Sequence, residues 1–188
     1  MIFPFDSDTL RVTSPFGNRV LNGKADNHTG YDMVGVGSQI VTAVSDGTVV
    51  RSRIVTDTTD PTWQWGNYVC VRTTLGQYHY YCHLQSRSVT EGQAVKVGDR
   101  LGVMGNTGYS FGAHLHFEVR ASDGRTLSPE SVLGIPNRTG TYALSVLDRD
   151  LAALQAAGVV NTPAYWVKTA PTVKYLPELL HKMAEALR

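Results

Sequence analysis

From Arg11 to Arg120 the chain is written in short runs of alternating polar and apolar residues, punctuated by glycine. Examples are Ile40 to Val50, Gly66 to Arg72, Tyr78 to Leu84, Arg100 to Gly105 and His114 to Arg120. A period of two suits a strand with one buried face, and little in this region carries the period of a helix. Many short strands at close spacing predict a mainly β, antiparallel architecture. In the last run His114, His116 and Glu118 share one face, while Leu115, Phe117 and Val119 share the other. Two imidazoles then point into the same space.

Upstream lies a second stretch of donors, His28-Thr29-Gly30-Tyr31-Asp32. Gly30, Gly35 and Gly37 argue against a helix there, so His28 and Asp32 are expected on a turn entering a strand. The two stretches together offer neutral nitrogens and one anionic oxygen. Zinc accepts that mixture, and a catalytic site keeps three protein ligands and leaves the fourth position to water. Either motif alone arises by chance; the pair in this order is specific.

With both motifs in hand, the chain resembles the lysostaphin-type (LytM-type) zinc endopeptidases, which cleave peptide bonds in bacterial peptidoglycan. The resemblance runs from about Ser14 to Arg120. It is carried by Ser14-Pro15-Phe16-Gly17-Asn18-Arg19, by His28 to Asp32 and by Val41 to Val49. It continues through Gly66-Asn67-Tyr68-Val69, Tyr81-Cys82-His83-Leu84, Val97 to Gly102, Gly105-Asn106-Thr107-Gly108 and Gly112 to Arg120. The resemblance implies antiparallel sheets forming an open groove, with His28, Asp32 and His116 as ligands of Zn2+. It makes His83 and His114 the two unliganded catalytic histidines, one acting as base and the other as acid. The implied activity is hydrolysis of peptide bonds in peptidoglycan through a metal-activated water. No Gly-x-Ser-x-Gly elbow is present and neither cysteine sits in an activating motif, so no covalent acyl-enzyme is expected.

Two other readings compete. Ala43 to Val50 and Val95 to Gly102 also resemble half-motifs of biotinyl/lipoyl carrier domains, but Met104 is followed by Gly105 and no lysine occupies the matching turn. A metal-competent but non-catalytic wall-binding or regulatory module of the same fold is the stronger rival. The intact His83 and His114 argue against it, since a binder has no use for both.

At 188 residues and 42% hydrophobic content, one domain with an appended subdomain is expected. A net charge of +1 gives no reason to expect nucleic acid or an anionic membrane as partner. Met1 to Leu10 lacks a positive leader with a long apolar run, and no stretch approaches membrane-spanning length. A wall hydrolase without a leader needs another way out of the cell. Release through a phage holin, carriage on a virion, or removal of a natural leader each fits.

The grammar changes after Leu127, which sets expected units of 1–127, the zinc peptidase β domain, and 128–188, a helical appendage. Leu147, Leu151 and Leu154 recur at helical spacing with Gly158 as a C-cap, and Asn161-Thr162-Pro163 reads as a helix start. Leu176, Leu179, Leu180, Met183 and Leu187 are expected to form one apolar stripe. Tyr68 to Thr73 and Gln77 to His83 read as a hairpin around Leu75-Gly76. A turn centred on Gly76 would set Cys70 opposite Cys82, as reduced thiols on the face away from the metal. His79, Tyr81 and His83 would share a face, with His79 at the groove edge or surface. Trp63, Trp65, Tyr109 and Phe111 lie in loops able to wall a thin peptide. The stretches near Asn22 to Asn27, Asp57 to Trp65 and Thr107 to Gly112 are expected to choose the substrate.

Overall fold

The computed structural model describes residues 1–160 and 176–187. The strands are β1 (Thr9–Ser14), β2 (Gly17–Leu21), β3 (Lys24–His28), β4 (Gly30–Gly35), β5 (Ile40–Thr42), β6 (Gly47–Arg53) and β7 (Tyr68–Thr73). They continue as β8 (Tyr78–Cys82), β9 (Leu84–Arg87), β10 (Ala94–Val95), β11 (Arg100–Met104), β12 (Leu115–Arg120), β13 (Thr126–Leu127) and β14 (Gly140–Ala143). The helices are α1 (Glu130–Leu133), α2 (Val146–Ala156) and α3 (Leu176–Glu185).

The antiparallel expectation holds. A nine-stranded sheet runs β10-β6-β7-β8-β12-β4-β1-β14, with β13 beside β12. Its neighbouring strands pair antiparallel, as do those of the smaller β5-β11-β9 sheet. The hairpin β2-β3 stands apart as a third, two-stranded sheet. Alternation sorts the large sheet into two faces. Leu10, Val12, Tyr31, Met33, Val69, Val71, Tyr81, Leu115, Phe117 and Val119 share one core with Val41, Leu84, Leu101 and Met104 of the smaller sheet. Register then fixes the opposite face: His116 lies across from Asp32 on one side and from Cys82 on the other.

That register corrects three expectations. Arg72 pairs with Tyr78 and Cys70 with Tyr80, so the turn centres on Leu75 rather than Gly76, and Cys70 does not face Cys82 directly. The physical reason is a three-residue loop whose last position, Gly76, takes the left-handed conformation at φ 80°. Both cysteines are free and buried, and both lie on the same sheet face as His116, not on the face away from it. Burial pushes the Cys70 thiol up to about 12 and Cys82 well above its ordinary value, which leaves neither a ready nucleophile.

His79 is neither at the groove edge nor on the surface. It is 1% exposed on the core face, edge-on to Phe117 at 5.7 Å between ring centroids. Its Nε2 lies 3.4 Å from the side-chain oxygen of Gln77, while its Nδ1 finds no hydrogen-bond partner among the described residues. Burial lowers its pKa to about 4. Between pH 6.5 and 4 the unfolded chain therefore takes up a proton that the folded chain refuses, and stability falls as pH drops through that window. His79→Leu should remove up to about 3 kcal/mol of that acid sensitivity. Denaturant titrations of both proteins at pH 7 and pH 4 check this, and equal pH dependence would discount His79.

The sheet also runs past residue 127, where the sequence grammar set a boundary. β14 pairs with β1 from Thr9↔Ala143 to Val12↔Gly140, and Leu133 and Ile135 are buried in the main core. The intervening polar residues and the short α1 hide these contacts from a periodicity reading. The helical part begins at α2, whose Ser145 and Asp148 form a reciprocal capping box. Gly158, expected as the C-cap, follows α2 at φ 72°. On α3 the expected stripe splits. Leu180 and Ala184, with Leu176 beside them, pack against Leu151 and Leu154, whereas Leu179, Met183 and Leu187 are exposed. The two rows are about 60° apart around the helix, and one partner helix covers only one of them. The expected helix start at Asn161-Thr162-Pro163 lies outside the described residues. Among the described residues no helix is long and apolar enough to cross a membrane.

Candidate metal centre

His28 ends β3 and Asp32 sits two residues into β4, across from His116 of β12. Their donor atoms converge. His28 Nε2 is 3.0 Å from Asp32 Oδ1 and 3.1 Å from His116 Nδ1, and His116 Nδ1 is 3.0 Å from Asp32 Oδ1. Among the described residues this trio is the cluster able to hold a metal ion. Tetrahedral zinc, with bonds of about 2.0–2.1 Å, sets its ligand atoms roughly 3.3 Å apart. Two imidazole nitrogens and one carboxylate oxygen at this spacing fit zinc.

Neighbouring groups fix each donor. Nδ1 of His28 lies 2.7 Å from the carbonyl of Pro15. A carbonyl only accepts, so the proton sits on Nδ1 and the Nε2 lone pair faces Asp32 and His116. Arg19 donates to Ser14 Oγ at 2.8 Å and to Asp26 at 2.7 Å, and reaches Oδ2 of Asp32 at 3.4 Å. That leaves Oδ1 of Asp32 to the imidazoles. Burial would raise the Asp32 pKa, but the close His114, His116 and His28 rings hold it well below the usual carboxylate range. For His116, burial acts downward and the bonds to Asp32 and Glu118 outweigh it, taking the ring to about 9.

His83 and His114 stand beside this trio with ring centroids 4.7 Å apart. His114 Nδ1 lies 2.8 Å from the carbonyl of Gly112, and its Nε2 is 3.4 Å from Asp32 Oδ1. His83 Nδ1 lies 2.8 Å from the carbonyl of Thr107. Both rings thus carry their proton on Nδ1 and present a bare Nε2. Burial and the neighbouring imidazoles of His114 and His116 lower the His83 pKa to about 4, so the ring is neutral at pH 7.

His83 reaches this side against the alternation. Continued strand geometry would send it to the core with Tyr81. Instead its φ is +62°, a left-handed kink between β8 and β9 that turns the ring over. Its N–H donates to the Trp65 carbonyl at 2.8 Å, and Gly66 at φ 60° lets that loop meet Thr107. A Cβ at Gly66 would stand 2.4 Å from the Thr107 backbone. The expectation that His83 shares a face with His79 and Tyr81 is therefore corrected, and the kink is its cause.

The trio opens into a groove of about 300 Å³. One wall is the β2-β3 hairpin with Arg19, Leu21, Asp26 and Asn27; the other carries Trp65, Tyr109 and Phe111. Trp63, expected as a wall residue, instead packs beside Tyr68, Cys70 and Cys82. Backbone carbonyls of Pro15, Thr107 and Gly112 orient three imidazoles, and no side-chain pattern announces such partners. Arg19 was visible in the Ser14 to Arg19 motif but carried no assigned role.

Two imidazole nitrogens and a carboxylate converge at the floor of an antiparallel groove where they could hold a metal ion, and the comparison with known proteins supplies the family. The chain belongs to Peptidase family M23, whose sequence profile matches residues 26–129. It is 36% identical over 114 residues to the peptidoglycan DD-endopeptidase ShyC of Vibrio cholerae, covering 59% of this chain and 25% of that protein. It spans between 25% and 30% of the length of the first curated relatives it matches. Among solved structures it resembles a zinc-containing peptidase from Vibrio cholerae, with 29% identity, a TM-score of 0.57, and 67% of this chain and 37% of that one covered. The catalytic domain of lysostaphin from Staphylococcus simulans gives 25% identity and a TM-score of 0.54, covering 69% of this chain and 94% of that one.

Proposed function

We propose that this chain is a zinc-dependent endopeptidase that hydrolyses peptide bonds in bacterial peptidoglycan, with His28, Asp32 and His116 holding the ion. The observation that carries the reading is the pair of bare Nε2 atoms, on His83 and His114, beside a three-donor cluster. Zinc held there would supply Lewis acidity toward a scissile carbonyl and acidify water at neutral pH. His83 and His114 take and return protons at Nε2, while the Thr107 and Gly112 carbonyls keep their Nδ1 protons in place. Trp65, Tyr109 and Phe111 seat an extended peptide along one wall, and the β2-β3 hairpin bounds the other. That the ShyC relative is a peptidoglycan DD-endopeptidase supports peptidoglycan as the substrate. The site of action is then the bacterial cell wall. Residues 1–144 form the peptidase body under this reading, with the helices an appendage.

Purified peptidoglycan incubated with the protein should release peptide fragments detectable by mass spectrometry. A chelator should stop release, and added zinc should restore it. Walls of known cross-link type then identify the bond. Binding to walls without any fragment release, in the presence of zinc, would instead support a non-catalytic wall-binding module.

A further inference from the structure

Glu118 lies two residues beyond His116 on β12 and is 1% exposed. A buried carboxylate on the groove face needs partners, and it has three. Its Oε2 faces His116 Nε2 at 3.5 Å and accepts from the Thr29 hydroxyl. Its Oε1 accepts from Nε of Arg120. The Arg120 guanidinium in turn lies 5.2 Å from the Trp65 ring centroid and 5.1 Å from that of Tyr80. Trp65 is the residue whose carbonyl receives the N–H of His83. A continuous chain of contacts therefore runs from His116 to the aromatic wall.

His116 also differs from the other three imidazoles. His28, His83 and His114 fix Nδ1 on a backbone carbonyl and leave Nε2 bare. His116 is turned the other way, with Nδ1 in the donor cluster and Nε2 toward Glu118. It sits inside β12 between β4 and β8, where backbone carbonyls serve the sheet ladder. A side chain must hold its Nε2 proton.

We infer that Glu118 is a positioning residue of the metal centre: it accepts the Nε2 proton of His116 and so keeps the Nδ1 lone pair available to the ion. Arg120, set against Trp65 and Tyr80, and the Thr29 hydroxyl hold the carboxylate in that orientation. The inference rests on the zinc reading above. Partners of this kind fix the tautomer of a ligating histidine, and their loss typically weakens metal affinity by about 10–100-fold.

The test measures zinc affinity by competition with a chromophoric chelator, and the His116 tautomer by 15N NMR of the imidazole. Glu118→Gln should bind zinc about 10–100-fold more weakly and, in the metal-free protein above about pH 9 where the His116 ring is neutral, lose the single Nε2-protonated tautomer. A merely structural carboxylate would not move the tautomer signal. Thr29→Val, which removes one donor to Glu118 and keeps its charge, should weaken zinc binding severalfold in the same direction. It also serves should Glu118→Gln fail to fold. Unchanged affinity and tautomer in whichever variant folds, with zinc bound by the unaltered chain, would overturn this inference alone. No zinc uptake by the unaltered chain would overturn the metal reading and this inference with it.

Discussion

Asp32→Ala should weaken zinc binding by about two orders of magnitude and sharply lower wall hydrolysis. Asp32 Oδ1 lies 3.0 Å from both His28 Nε2 and His116 Nδ1, and it is the anionic member of the trio. Without it two neutral imidazoles remain. Structural zinc sites bind with about 10–16 kcal/mol over four ligands, so one ligand contributes roughly 3 kcal/mol, or about two orders of magnitude in affinity. Asp32 also stands at the centre of the surrounding imidazoles, its Oδ1 3.0 Å from His28 Nε2 and His116 Nδ1 and 3.4 Å from His114 Nε2. Its removal should disperse that cluster as well as weaken it. Combined with His116→Ala, the loss should be complete. Equilibrium dialysis followed by metal analysis checks this, and full zinc occupancy in the Asp32→Ala, His116→Ala double variant would refute the assignment.

How far the centre could be read from the chain depends on which part is local. The alternation in Leu115-His116-Phe117-Glu118 places His116 and Glu118 on one face, because a strand has no other way to arrange consecutive residues. Asp32 reaches His116 only through strand pairing, which no local pattern encodes; there the family resemblance supplied what periodicity could not. Register is not encoded locally: a hairpin centred on Leu75 rather than Gly76 moves the partner of Cys70 from Cys82 to Tyr80, a two-residue shift that keeps both cysteines on one face. His83 was misplaced for a related reason. A single left-handed residue inverts a side chain, and nothing in Tyr81-Cys82-His83-Leu84 signals it, since non-glycine residues at positive φ are uncommon. His79 then followed the alternation inward, as strand geometry requires. The β14 pairing escaped because four residues beyond a run of turns carry too little pattern to announce a strand.

His83→Ala and His114→Ala should each lower peptidoglycan hydrolysis by about 10²- to 10⁴-fold while leaving zinc content unchanged, the usual cost of removing a general acid or base. Neither ring belongs to the donor trio, so metal analysis separates this effect from that of Asp32→Ala. The two rings stand 4.7 Å apart on different strands' ends, each pinned through Nδ1 to a carbonyl. That arrangement fixes where each Nε2 points. His83 is neutral at pH 7 and so can accept a proton, and His114 Nε2 lies 3.4 Å from Asp32 Oδ1. If the two act in one proton-transfer sequence, the double variant should be little worse than the poorer single variant, because a broken relay cannot be broken twice. Turnover numbers on purified walls, with zinc measured in every sample, decide the matter. A near-normal rate in either single variant removes that histidine from the mechanism, and a fully multiplicative double variant assigns the two rings to independent steps.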